Sequence, residues 1–205
     1  MTATLSPRPA PRKAQPRLSP DQVAKLVDGA ARGDQRAWNR LIDAFGPMIW
    51  SVARAHRLCD ADAADVAQAT WLALLEHLGD VRDPARVGAW LATTARRECL
   101  RILRGGERRV LYGDECPEHE SSDPGPGDML LLSERDAALW RSFDRLRPSD
   151  QALLRILMAD PRPAYEEISA ALDIPIGSIG PTRGRALARL REQLEIERAL
   201  TLMHD

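Results

Sequence analysis

Residues 177–191 read GSIGPTRGRALARLR, three glycines and a proline running into Arg183, Arg185, Arg189 and Arg191 with no acid between them. Glycines beside cations are the ingredients of a phosphate cradle. Guanidinium groups along one helix are also the ingredients of a nucleic-acid reader, because arginine holds phosphate or a guanine edge bidentately. Spacing argues against the cradle. A Walker-type loop needs GxxxxGK[ST] after a strand, and a dinucleotide fingerprint needs GxGxxG inside a βαβ unit. Gly177, Gly180 and Gly184 fit neither spacing, and no strand-like alternation precedes them.

Other side chains with chemical potential carry less. His56-x-x-Cys59 and Cys116-x-x-His119 are the two halves a tetrahedral zinc site would need, but one sits at a helix end and the other in a glycine- and proline-rich stretch. Asp60, Asp62 and Asp65 could hold magnesium, yet carboxylates opening a helix are explained by capping and by the positive end of its dipole. No serine or cysteine nucleophile has a partnered histidine. The expectation is therefore no enzyme, no metal and no cofactor.

The elements that must position the arginines are helical. Val23, Leu26, Val27 and Ala30 recur on one helical face after Pro20-Asp21, and Ala37, Trp38, Leu41, Ile42 and Phe45 recur on a second helix. Gly46-Pro47 marks an end or a kink, followed by a helical run from Met48. A third helix is expected to start at an Asp60-Ala61-Asp62 cap, with Asp62 and Asp65 in its first turn. In AWLATTARRECLRILR, Leu91, Ala95, Cys99 and Ile102 form an inward face, while Trp90, Thr94, Arg97 and Arg101 form a neighbouring stripe.

After residue 104 the pattern dissolves into GGERRVLYGDECPEHESSDPGPG. Helicity returns at Asp128, and Pro148-Ser149-Asp150 reads as a new cap. Residues 164–172, a turn at 173–177 and a basic helix beginning near Pro181, capped by Gly180 or Ser178, have the layout of a helix-turn-helix. In that reading Ala186, Leu187 and Leu190 turn inward; Thr182, Arg183, Arg185 and Arg189 turn outward to DNA. The fold class expected is all-α. The divisions are a basic arm (1–20), a helical domain (21–104), an acidic linker (105–133), a helix-turn-helix domain (134–195) and a tail (196–205).

Composition agrees with that division. The 205 residues are 44% hydrophobic, enough for real cores. A net charge of -1 conceals segregation: residues 1–20 hold Arg8, Arg12, Lys13 and Arg17 without an acid, and residues 113–128 hold six acids without a lysine or arginine. Three cysteines without a CxxC pair argue against a disulfide framework and for a reducing, cytoplasmic setting. There is no apolar run for a signal peptide or membrane span.

Three stretches together resemble the extracytoplasmic-function class of bacterial sigma factors, the RNA polymerase subunits that direct promoter recognition. ARGDQRAWNRLIDAF matches the opening helices at Gly33, Asp34, Ala37, Trp38 and Leu41. DADAADVAQATWLALLEHL is similar to the helix that binds the polymerase clamp, usually DAEDxxQETFL; AWLATTARRECLRILR is similar to the helix after the loop that captures the minus-10 element.

The resemblance implies polymerase contact through Asp62, Asp65 and Gln68, with Ala64 and Ala69 standing where the family usually has Glu. It implies minus-10 contact through Arg82 and Arg86 in the specificity loop and Arg96, Arg97 and Arg101 behind it, and, because the family keeps an aromatic at that place within the packed helix, it implies that Trp90 is core rather than a stacking platform. It implies minus-35 contact through Ser178, Pro181, Thr182, Arg183, Arg185 and Arg189, although Gly180, Pro181, Thr182 and Arg183 depart from the usual Lys, Ser, Arg and Leu. The implied partners are core RNA polymerase and promoter DNA, with room for an anti-sigma protein. The acidic linker either threads into the polymerase or is a solvated tether. Two other readings stay open on the residues alone: a stand-alone helix-turn-helix regulator and a helical interaction protein.

Overall fold

The computed structural model describes residues 17–111 and 134–202, and among them every regular element is a helix, as expected for an all-α chain. The arm before residue 17, most of the acidic linker and the end of the tail lie outside the described residues.

Helix α1 (Pro20–Ala31) is opened by a capping box: the Ser19 hydroxyl accepts from the Gln22 N–H at 3.3 Å and the Gln22 side chain accepts from the Ser19 N–H at 2.8 Å. Gly33, at φ +84°, turns the chain, and Asp34 caps α2 (Gln35–Ala55) by accepting from the Arg36 and Ala37 N–H groups. Helix α2 runs unbroken through Gly46-Pro47. Proline normally forces its predecessor out of the helical region by clashing with that residue's Cβ, and glycine has none. The dipeptide that reads as a break is therefore a proline the helix tolerates.

Helix α3 (Asp60–His77) begins at Asp60 with Cys59 in the cap position and no side-chain cap bond. Asp60 and Asp62 occupy its first turn; Asp65 lies beyond it, contrary to the sequence expectation. Asp60 is instead paired with Arg54 of α2 at 2.9 Å. Two short 3-10 turns, Leu78–Asp80 and Pro84–Arg86, carry the chain to α4 (Val87–Leu111). That helix continues through Gly105-Gly106, seven residues past the end expected from the glycines.

The chain resumes with α5 (Glu134–Asp144) and α6 (Pro148–Leu157). The cap expected at Pro148-Ser149-Asp150 is displaced: Pro148 is the first helical residue, Arg147 precedes it without a side-chain bond, and Asp150 is buried. Helix α7 (Tyr165–Leu172) ends on Asp173 in the left-handed conformation, and three residues later α8 (Ile176–Leu202) begins.

One hydrophobic core joins elements from both ends of the chain. Leu41, Ile49 and Val52 of α2 and Leu91, Ala95 and Cys99 of α4 share a cluster with Leu153 and Ile156 of α6, Ile168 and Ala171 of α7 and Ile179 of α8. Each such leucine or isoleucine contributes about 1.5–3 kcal/mol relative to exposure. A smaller cluster of Phe143, Leu146, Leu154 and Ala186, with Trp140, Leu187 and Leu190 against it, fixes α5 and α6 to α8.

The seam between the halves runs chiefly along α4 and α7, and a glycine lets it close. A Cβ on Gly88 would lie 2.2 Å from Glu167 Oε1 and 2.7 Å from Phe45 Cε1. The Glu167 carboxylate is buried there, accepting from the Ala164 N–H at 2.6 Å, with Arg17 at 3.7 Å. Burial raises its pKa, against the pull of that N–H and of Arg17. With one Glu167 oxygen held by the Ala164 N–H and the Phe45 ring crowding the same point, a methyl group here requires the carboxylate and the ring to shift. Gly88→Ala is expected to cost about 1–3 kcal/mol, a fall in Tm of roughly 2–10 °C by calorimetry; an unchanged Tm would show that the seam is not close-packed.

Candidate nucleic-acid interface

Helix α8 starts at Ile176, so Pro181 lies inside it rather than at its first position. Gly180 supplies the same relief as Gly46, removing the Cβ that Pro181 would strike. Neither expected cap operates. Ser178 turns back on Pro175, its hydroxyl donating to that carbonyl at 2.7 Å and its N–H at 2.9 Å. Gly180 is helical. The start is set instead by Pro175, which has no N–H to lose and is pre-shaped for a helix boundary.

The inward face of α8 is as the spacing predicts, with Ile179 and Ala186 buried and Leu187 and Leu190 half-buried. On the outer side Pro181 and Arg185 are exposed, Ser178, Thr182 and Arg183 half-buried, and Arg185 donates to the Thr182 hydroxyl at 3.2 Å. Arg189 departs from the expected set. Its guanidinium lies 2.5 Å from Asp150, a carboxylate whose side chain is only 3% exposed, so it ties α8 to α6. Spacing placed Arg189 one turn after Arg185 on the same stripe; a buried carboxylate on another helix, invisible in the sequence, claims it.

The five arginines assigned to the minus-10 side divide similarly. Arg82 and Arg86 are exposed on the segment between α3 and α4, Arg86 beside Asp83 at 3.2 Å. Arg97 and Arg101 are exposed one turn apart on α4, Arg101 held by Glu98 at 2.7 Å. Arg96 points to the seam and pairs with Asp173 at 2.9 Å. Trp90 is 37% exposed, not core; it lies against the His77 ring, centroids 6.1 Å apart, at the root of the segment carrying Arg82 and Arg86. His77 Nδ1 is 2.8 Å from the Ala73 carbonyl, which can only accept, so that nitrogen carries the proton.

On α3, Asp65 and Gln68 are exposed and Asp62 is half-buried. Further along this helix are Leu72 at 53% and Leu75 at 58% exposure, both missed by sequence reasoning. Helix α3 carries apolar residues all round, so periodicity could not say which leucines lacked a partner; the count of apolar residues beyond one stripe was the available signal.

Among the described residues no three His, Cys, Asp or Glu side chains converge as metal ligands. His56 has its Nε2 buried without a partner, Cys59 precedes α3, and Cys116 and His119 lie outside the described residues. Burial pushes the Cys99 thiol up to about 12, which leaves it inert as a nucleophile. No described helix is long and apolar enough to cross a membrane.

Residues 41–109, the span from α2 through α4, match sigma-70 region 2. The chain is 27% identical over 184 residues to the ECF RNA polymerase sigma-E factor of Escherichia coli strain K12, covering 85% of this chain and 92% of that one. It is 26% identical over 180 residues to the ECF RNA polymerase sigma factor SigD of Mycobacterium bovis, covering 85% and 84%. Its fold is similar to CnrH in complex with the cytosolic domain of CnrY, at TM-score 0.56 and 22% identity over 86% of this chain and 99% of that one. It is also similar to RpoE in complex with the anti-sigma factor NepR from Bartonella quintana, at TM-score 0.52 and 20% identity over 78% and 97%.

The two outer arginines of α8 separate by stability. Arg189→Ala strands the buried Asp150 carboxylate and is expected to cost about 2–4 kcal/mol, partly recovered by adding Asp150→Ala. Arg185→Ala is expected to change stability by less than about 0.5 kcal/mol. Urea unfolding of the three variants checks this; equal, small effects would return Arg189 to the free surface.

Proposed function

We propose that this chain, a sigma factor of the extracytoplasmic-function class, binds core RNA polymerase, reads the minus-10 and minus-35 promoter elements and starts transcription of a particular set of genes. The observation that carries this reading is the match of residues 41–109 to sigma-70 region 2, over helices that leave one outer face of α3 and one of α4 open to partners.

On α3, Asp65 and Gln68 with Leu72 and Leu75 form the polymerase contact: polar groups fix orientation, and the exposed leucines supply apolar area. Asp62, half-buried near the helix start, supports the N-terminal end of that face. Arg82 and Arg86 lead to the minus-10 element and Arg97 and Arg101 continue along α4, with Arg96 joining them once it leaves Asp173. Thr182, Arg183 and Arg185, with Ser178 and Pro181 at the helix start, meet the minus-35 element. Arg189 braces this surface from behind.

Domains at 21–104 and 134–195 divide these tasks, with residues 105–133 spanning between them. The chain itself catalyses nothing; polymerase performs the chemistry, and binding energy drives strand opening. An anti-sigma partner, as NepR is for the similar RpoE, fits the same scheme. A protein with these partners works in the cytoplasm.

Run-off transcription with core polymerase tests the proposal. Promoter-dependent product is expected only when the chain is added; a chain that binds DNA yet yields none is a stand-alone regulator. Replacing Arg183 and Arg185 by alanine is expected to abolish minus-35 recognition and to reduce the salt dependence of binding by roughly one unit of slope per lost phosphate contact. Unchanged affinity at physiological salt removes α8 from the promoter contact.

A further inference from the structure

Helix α8 presents one strip without a long side chain. Gly177, Pro181, Gly184 and Ala188 recur at helical spacing on a single face, and all four are exposed. A Cβ on Gly177, Gly180 or Gly184 would point into open space. A duplex can therefore come close here, and the side chains along the edges of the strip decide what it meets.

The arginines of α8 do not border this strip alike. Arg183 follows the fully buried Ile179 by four residues and precedes Leu190 by seven, which sets it toward the packed side, half-buried. It stands about 200° round the helix from Arg185, so the two cannot face one base edge. Arg189 is held by Asp150 of α6. Arg191 comes six residues after Arg185, about 9 Å further along the axis. Arg185 is exposed, next to Gly184 and one turn after Pro181, and borders the strip directly.

Its orientation is set by a neutral neighbour. The Arg185 Nη2 donates to the Thr182 hydroxyl at 3.2 Å, within one turn of the same helix. Arg86 and Arg101 are held in the same three-residue register by Asp83 at 3.2 Å and Glu98 at 2.7 Å. A carboxylate orients a guanidinium but brings a negative charge that opposes DNA; a hydroxyl orients it at full charge. The bond uses one of five N–H donors, so the group can still make the two parallel bonds that a guanine edge accepts through O6 and N7. A side chain already held also has fewer rotamers to give up on docking.

We infer that Thr182 is a positioning residue: its hydroxyl aims Arg185 at a single guanine of the minus-35 element, and preference at that base pair depends on it. The inference rests on the sigma-factor reading and deepens it, making Arg185 the base reader and leaving Arg183, from its place toward the packed side, to the backbone. The device belongs to this chain. Thr182 stands where the family usually has arginine, a side chain that cannot accept a hydrogen bond.

Holoenzyme assembled from the full chain and core polymerase, offered duplexes of random sequence, tests this once the retained promoters are sequenced and aligned on their transcript starts. The wild type is expected to favour guanine about tenfold at one minus-35 position, as a bidentate arginine contact does. Arg185→Ala is expected to erase that preference. Thr182→Val is expected to cut it to about twofold, the loss of one hydrogen bond, with the other minus-35 positions read as before, and Thr182→Ser to keep it. Thr182→Ala repeats the comparison if circular dichroism shows lost helix in the valine variant. A full guanine preference in the valine variant, an equal loss in the serine variant, a flattening of every position alike, or a preference that survives Arg185→Ala would overturn the inference. So would a wild type with no preferred guanine. A wild-type holoenzyme that retains no duplex above core polymerase alone ends the sigma-factor reading itself, a result distinct from each of these, and the inference falls with it.

Discussion

The contact on which the rest of the molecule depends is the packing of α7 against α4. It brings Ile168 and Ala171 into the core built by α2 and α4, so two ends of the chain separated by an acidic stretch share one apolar interior. The approach is possible because residue 88 has no side chain where the Glu167 carboxylate and the Phe45 ring meet the backbone. Everything polar at the seam follows from that closeness: Glu167 is buried against the Ala164 N–H, Arg96 reaches Asp173, Arg57 reaches Gln151, and His56 loses solvent at Nε2. The seam thus has an apolar middle, and of the polar ties at its rim the Arg96–Asp173 pair, with Asp173 largely exposed, contributes little.

Gly46-Pro47 and Gly180-Pro181 are a second recurrent device. Both lie within helices, in α2 and in α8. Proline removes one backbone donor and crowds the residue before it; glycine relieves only the second of these. The lost hydrogen bond remains as a local weakness at the first turns of α8, on the side proposed to meet DNA. There the same glycines and proline keep side chains off the surface and let backbone approach closely, while Arg185 and Thr182 support one another beside them.

All-α architecture, the inward face of α4 at Leu91, Ala95 and Cys99, the inward face of α8 at Ala186 and the exposure of Arg97 and Arg185 were legible because each follows from helical periodicity, a local rule. Element edges were less legible. Glycine and proline were read as an end or kink at residues 46–47, an end at 105–106 and a start at 180–181, and the helices run through all three. Tertiary packing and the pairing of glycine with proline outweighed propensity at these points. Trp90 misled for a different reason: the resemblance implies an aromatic inside the packed helix there, but its ring sits at the edge of the packed face with His77 for company.

Residue types and their order thus determined by themselves that the chain is helical, which faces turn inward, where its charges are segregated and which family it resembles. They could not determine which arginines are free. Arg96, Arg189 and Arg185 are alike in sequence, each on a helix at an outward or border position, yet Asp173 holds the first, buried Asp150 holds the second, and the third lies open beside Thr182. Partners that come from another helix are set by how helices pack, and packing here turned on a glycine in α4 and a carboxylate in α7 that stand 79 residues apart. Periodicity is local and was readable; the charge state and occupancy of each candidate group depend on contacts that only the folded chain supplies.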